Sequence, residues 1–374
     1  MWLSPWMIIE GLFGDGIDGL SQLEPETAQA RSGTVKQVGE YGRATENGTR
    51  YGLLNQDFAF TKQLPGPLVL PSTAGVKASS GEVHVGAVLD GHGMLGEVSA
   101  KTVGQALDNF LTQRLQTASV EEMNEAELQR MFTEAFEHAH KSSLELYNNP
   151  PAVYRYPKGG RNSTAYRFKP FMGMPSYWNN QGRAFPLECG TTCTVSVLHG
   201  STVTVAHVGD STAVMGCAQG RRGGYRAEVI TRDHTCKDED EARRCEAIPG
   251  ASVTAKKKLR IVLPESKQCH TVAMSRALGH RLLTVDHGLL TTPDVVRLHL
   301  QPHHCCLIVA SDGVWESLSH DEAVEIVMTA VDRGASAQQA ASQLVSRAVS
   351  AAFCIEQNTG AADNTTAVVY LFDN

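Results

Sequence analysis

The chain of 374 residues is 42% hydrophobic and 20% charged, with a formal net charge of −7, the balance of an ordinary globular protein. The negative sign speaks against a nucleic-acid binder, which usually carries a basic face, and no apolar run approaches the roughly 20 residues of a membrane span. Nine cysteines with no framework spacing and no export signal point to free thiols in an intracellular, reducing compartment, cytoplasmic or nuclear.

Residues 1–35 carry Gly, Asp and Glu with little periodicity and read as a flexible tail ahead of one large domain, 36–374. The stretch VHVGAVLDGHG at 83–93 reads as a buried β-branched strand. It ends in Asp90, and Gly91 and Gly93 then allow a sharp turn around His92. Helical spacing over 97–115 lines up Val103, Leu107, Phe110 and Leu111, and over 122–147 Leu128, Met131, Phe132, Ala135 and Phe136, so both helices face a core. Residues 148–188 hold Arg155, Lys158, Arg161, Arg167, Lys169 and Arg183 against the single acid Glu188, among Pro, Gly, Asn and aromatics. This basic insertion reads as a flexible loop, or as a docking segment for an acidic or phosphorylated partner.

Strands are expected at 190–198, 202–208, 212–215 and 228–230, and a short charged helix at 238–246. Lys256, Lys257 and Lys258 then lie in a cationic loop. The run His303-His304-Cys305-Cys306 resembles a metal site, but neighbours on a strand point to opposite faces, so the four cannot converge on one ion. Ser319 with Glu322, and Ser336 with Gln339, are capping boxes that start the last two helices. The second of these aligns Ala341, Leu344, Val345, Ala348, Val349 and Ala352 on one face.

One chemical pattern repeats. Apolar strands end in Asp90, Asp210 and Asp312, and Asp363 precedes another, TTAVVYLF. Such strands can direct several carboxylates to one place, where like charges are costly unless cations neutralise them. An all-oxygen set favours Mg²⁺ or Mn²⁺ over Zn²⁺.

Seven segments in order carry a resemblance to the metal-dependent serine/threonine protein phosphatases of type 2C. They are NQD at 55–57, DGHG at 90–93, CGTTCTVSVL at 189–198, VGDSTAVM at 208–215, MSRALG at 274–279, SDGVWE at 311–316 and DNTT at 363–366. The resemblance implies an α+β fold, an αββα sandwich of two mostly antiparallel sheets flanked by helix pairs. It implies two Mg²⁺ or Mn²⁺ ions held by Asp90, the Gly91 carbonyl, Asp312 and Asp363, with Asp210 on a third. A hydroxide between the two ions would attack phosphorus directly, and His92 would protonate the leaving serine or threonine oxygen.

Asp57 and Gln56 would stand behind the metal waters, and Arg50 would bind phosphate, although an exposed turn arginine fits that position as well. The family usually continues MSRALG with Asp, where this chain has His280. The implied protein acts on phosphoproteins as a monomer, with neither nucleic acid nor membrane as partner. The rival expectation is a catalytically weak, phosphoprotein-binding member of the same fold.

Overall fold

The computed structural model describes residues 36–49, 54–66, 81–157, 163–171, 173–220, 223–262, 269–285, 287–359 and 362–373. The expected tail at 1–35 lies outside the described residues, as do Arg50, Lys158 and Arg161.

Two five-stranded antiparallel sheets form the centre. The first runs, in spatial order, Val38–Glu46, Thr365–Phe372, His304–Ala310, Thr212–Ala218 and Tyr225–Val229. The second runs Asp294–His299, Thr202–Val208, Cys193–His199, Val83–Leu89 and Phe58–Leu64. Val88, Val203, Val205, Met215, Leu307, Val309 and Tyr370 fill the space between them.

Helices Gly96–Leu115 and Glu125–Asn148 cover the outer face of the second sheet. Helices His320–Asp332 and Ala337–Thr359 cover the outer face of the first. This is the αββα sandwich.

Covering on both sides explains why the central strands read as unbroken apolar runs. All seven residues of Val83–Leu89 are buried. Val83, Val85, Ala87 and Leu89 meet the helix pair, whereas Val88 enters the core between the sheets. Gly86 has no alternative there: a Cβ would fall 2.1 Å from the Tyr370 hydroxyl.

The second helix begins at Glu125 and not at 122, because Asn124 caps it in a box with Glu127. Both expected C-terminal boxes are formed.

The insertion departs from the flexible-loop expectation. It folds as a four-stranded antiparallel sheet, Val153–Pro157, Ser163–Phe168, Ser176–Trp178 and Ala184–Pro186. The cause is a period of two in its aromatics. Tyr154, Tyr156, Tyr166, Phe168 and Tyr177 lie on one side and pack with Leu95, Tyr147 and Leu187. Tyr177 is fully buried and donates to the Pro151 carbonyl (2.7 Å). A smaller sheet, Ala251–Val253, Leu259–Val262 and Cys269–Val272, carries Lys256 to Lys258 on its first turn.

Candidate active site

The motif residues hold one another. Asp90 follows its strand directly; its N–H donates to Thr192 Oγ1 (3.0 Å) and its carbonyl accepts the Thr192 N–H (2.9 Å). The Thr192 hydroxyl meets that of Ser211 (2.7 Å), next to Asp210. The Gly91 N–H donates to the Gln56 carbonyl (3.2 Å), and a Cβ on Gly91 would lie 2.3 Å from the Gly96 carbonyl oxygen. Only glycine fits so close an approach. The buried Gln56 amide donates to the Gly93 carbonyl (2.8 Å), clamping the turn.

Ser311 Oγ donates to Asp57 Oδ2 (2.9 Å) and accepts the Thr366 N–H (3.0 Å). Asn364 Oδ1 accepts the Gln56 N–H (2.9 Å), while its Nδ2 donates to the Leu54 carbonyl (3.1 Å). Segments separated by about 300 residues of chain are thus tied into one frame, with Asp312 at the start of the short helix Asp312–Trp315 and Asp363 just before the last strand.

Asp90, Asp210, Asp312 and Asp363 line one cavity of about 320 Å³, together with His92, Glu188, Lys258 and His280. Among the described residues, Lys258 is the only lysine or arginine in that lining. Burial, with Asp57, Asp312, Asp363 and Asp210 close by, holds the Asp90 carboxyl well above the usual range. Asp312 is raised in the same way by burial and by Asp210, Asp363, Glu316 and Asp57. Asp57, through burial and Asp363, and Asp210, through burial and Asp233, are each pushed up to about 6.

Asp57 Oδ1 and Asp312 Oδ1 are buried yet accept no hydrogen bond. An all-oxygen set of mutually repelling carboxylates with open acceptor positions fits hard divalent cations.

His92 Nε2 lies 3.7 Å from Asp90 Oδ1. Burial and the neighbouring His280 push its imidazole down to about 3, so it is neutral in the metal-free cavity. His280 occupies a larger place than its position in the sequence suggested. It is buried, its ring stacks on His92 (centroids 5.9 Å apart, planes at 29°), and its Nδ1 lies 3.5 Å from Glu188 Oε1. The backbone adopts a left-handed conformation there (φ 46°), and the residue caps the short helix Arg281–Thr284.

The structure therefore brings Asp57, Asp90, Gly91, His92, Asp210, Asp312 and Asp363 together, while Arg50 lies outside the described residues. Sequence reading missed Glu316, whose carboxylate groups with those of Asp312 and Asp363 within 4.8 Å. Its signal was available, because Asp312 and Glu316 are four apart at the start of a helix and share a face. His303 and His304 come within the same distance of Cys217, whereas Cys305 and Cys306 belong to the core. His304 Nδ1 accepts the Gln301 N–H (3.1 Å), so in its neutral form the hydrogen sits on Nε2 and that nitrogen has no lone pair for a metal.

The model of the family described as protein phosphatase 2C matches residues 169–354. Among curated relatives, Probable protein phosphatase 2C 72 of Arabidopsis thaliana is 30% identical over 188 residues, 50% of this chain and 55% of that protein. Probable protein phosphatase 2C 61 of the same plant is 34% identical over 155 residues, 41% of this chain and 47% of its own length. The chain thus spans about half the length of the curated relatives it matches.

The serine-threonine phosphatase 2C crystal structure from Toxoplasma gondii shares the fold, with a TM-score of 0.61 at 21% identity, over 91% of this chain and 98% of that one. The family match begins beyond the DGHG turn, yet the fold sets Asp57 and Asp90 against Asp312. Over residues 169–354 the chain therefore carries a domain of the protein phosphatase 2C family.

Proposed function

We infer that this protein is a metal-dependent protein serine/threonine phosphatase. The observation that carries the reading is the cluster of carboxylates around one cavity. Asp57, Asp90, Asp210 and Asp312 are each raised there by burial and by neighbouring acids, and buried oxygens of Asp57 and Asp312 accept nothing. Asp90, the Gly91 carbonyl, Asp312 and Asp363 would hold two Mg²⁺ or Mn²⁺ ions, and Asp210 a third with Asp312. When bound, such ions neutralise the carboxylates and lower the pKa of a water to near neutrality, supplying the nucleophile.

The chain's own residues do the rest. Ser311 orients Asp57, Thr192 orients Asp90, and Gln56 holds the glycine turn. Lys258, exposed at the rim, favours entry of an anionic ester. His92 is the proton donor to the departing serine or threonine oxygen. Its imidazole is neutral in the free cavity, so it must take up a proton together with the phosphate dianion, whose charge favours the imidazolium. No aspartate is needed as nucleophile, and no phosphoenzyme forms.

The test is hydrolysis of phosphoserine and phosphothreonine peptides after exhaustive chelation, and again with Mg²⁺, Mn²⁺ or Zn²⁺ added back. Activity should vanish and return with Mg²⁺ or Mn²⁺. Full activity without metal, recovery with Zn²⁺ alone, or no hydrolysis under any condition would sink the assignment.

A further inference from the structure

The insertion sheet has two unlike faces. Its inner face is the tyrosine-rich layer already described. The outer face follows from register: Val153 pairs with Arg167, Arg155 with Ala165, and Arg167 with Trp178. Directly paired residues share a face, so Val153, Arg155, Ala165, Arg167 and Trp178 look outward together.

Arg155 and Arg167 are exposed, and Val153 is 41% exposed. The neighbouring Lys169 ammonium lies 6.0 Å over the Trp178 ring, and exposed Phe171 meets the same ring edge-on. Arg183 stands apart from this face, 5.0 Å over Phe185, which pairs with Tyr177 on the inner side. No acidic residue occurs between 151 and 187. Among the described residues, none of Arg155, Arg167 and Lys169 pairs with a carboxylate. In a chain of net charge −7, this is a local surplus of cations around an apolar, aromatic patch.

The patch is also joined to the cavity. Strand Ala184–Pro186 leads through Leu187 to Glu188, which lines the site, and then into Cys189–Thr191, which pairs with Gly91–Gly93. We propose that the outer face of this sheet docks an acidic segment of the phosphoprotein whose phosphorylated residue enters the cavity. This rests on the phosphatase reading above. Carboxylates of the partner meet the arginines, and its apolar side chains meet Trp178 and Val153. A nucleic acid is the weaker match, because the chain as a whole carries a net charge of −7 and repels a polyanion.

The test uses the full chain and its R155E/R167E variant, both changes lying on exposed outer-face positions. Two phosphothreonine peptides, one with acidic and one with neutral flanks, are compared with an aryl phosphate. The unaltered protein should show a KM about tenfold lower for the acidic peptide, a gap that closes as salt screens it. The variant should lose that gap with kcat and aryl phosphate turnover unchanged, and R155Q/R167Q should move the same way by less.

No acidic preference in the unaltered protein, or a preference kept by both variants, overturns the proposal. Anisotropy of a labelled, unphosphorylated acidic peptide on chelated protein separates docking from chemistry. Binding that the variant loses supports the docking face even if nothing is hydrolysed. Hydrolysis with no such binding overturns docking and leaves the phosphatase standing. Tighter binding of an oligothymidylate, lost in the variant, would assign the face to nucleic acid instead.

Discussion

Two groups of partly buried carboxylates in this protein have opposite electrostatic surroundings. Around the cavity, Asp57, Asp90, Asp210 and Asp312 stand among other acids, and each is held above its usual range. At the edge of the same sandwich, Glu241 receives Arg276 Nη2 (2.6 Å), Arg244 Nη2 (2.7 Å) and the Ser275 hydroxyl. Asp294 takes Arg276 Nη1 (2.8 Å) and His234 Nε2 (3.1 Å). Burial raises Glu241, but these partners overcome it and hold the group at about 2; Asp294 is lowered as well, first by His234. The second group completes its own charge balance and so serves as structure. The first does not, and an unbalanced cluster that survives in a folded protein is the signature of a site that takes up a cation.

The sharpest way to break this contrast is one chemical change made in both places. Asp312→Asn should lower turnover with Mn²⁺ by about 10³-fold or more, beyond the loss of a single stabilising donor. The chelated variant should nevertheless melt higher than the unaltered protein, since a repelling charge is gone. Turnover close to that of the unaltered protein at limiting metal would remove Asp312 from the ligand set.

His92 marks where the cavity's imbalance meets the chemistry. His92→Ala should lose about 10²–10⁴-fold on phosphothreonine peptides, the usual contribution of a general acid. On a nitrophenyl ester, whose leaving group needs no proton, the loss should be far smaller. A uniform loss on both substrates, with weaker metal binding, would make His92 a spacer in the turn.

Glu241→Gln is the counterpart on the balanced side. It leaves Arg276, whose side chain is 15% exposed, without its main partner, and should cost about 3 kcal/mol in denaturant unfolding. If Glu241→Gln were neutral while the metal-free Asp312→Asn protein lost stability, the two clusters would not differ as described.

The smallest effect is in pH. Folded-state pKa values raised from 3.8 to about 6 for Asp57 and Asp210 mean that the folded chain binds more protons than the unfolded one in that window. Stability of the chelated protein should therefore fall as pH rises from about 4 through about 6, and continue to fall above it as Asp90 and Asp312 ionise. Glu241, lowered from 4.5 to about 2, has the opposite sign: its contribution is complete above about pH 4.5 and is lost as pH falls toward 2. Near-saturating Mn²⁺ should raise the melting temperature by about 5 °C at neutral pH and by little at pH 4. An equal gain at both values would place the ion elsewhere.

Much of the site was legible because its signals are local. A buried strand ending in Asp is visible at 83–90 and 305–312, and the glycines beside His92 announce a turn. The i,i+4 relation of Asp312 to Glu316 is equally visible in the chain. His280 could not be ranked from the chain alone, since its stacking on His92 depends on strands Cys189–Thr191 and Leu278–Gly279 meeting far from each other in sequence.

The insertion is the clearest divide. Its alternating tyrosines are written in the sequence, yet Pro, Gly and Asn at its turns gave the look of a loop. What made it a sheet was an apolar surface for those rings, offered by Leu95, Tyr147 and Leu187. Residue order alone is enough to say which residue types can act and which strands are buried, because pattern and turn chemistry act over a few residues. Which carboxylates share a cavity and which find an arginine is settled by the packed chain, because charge balance depends on neighbours in space and the interaction weakens with distance.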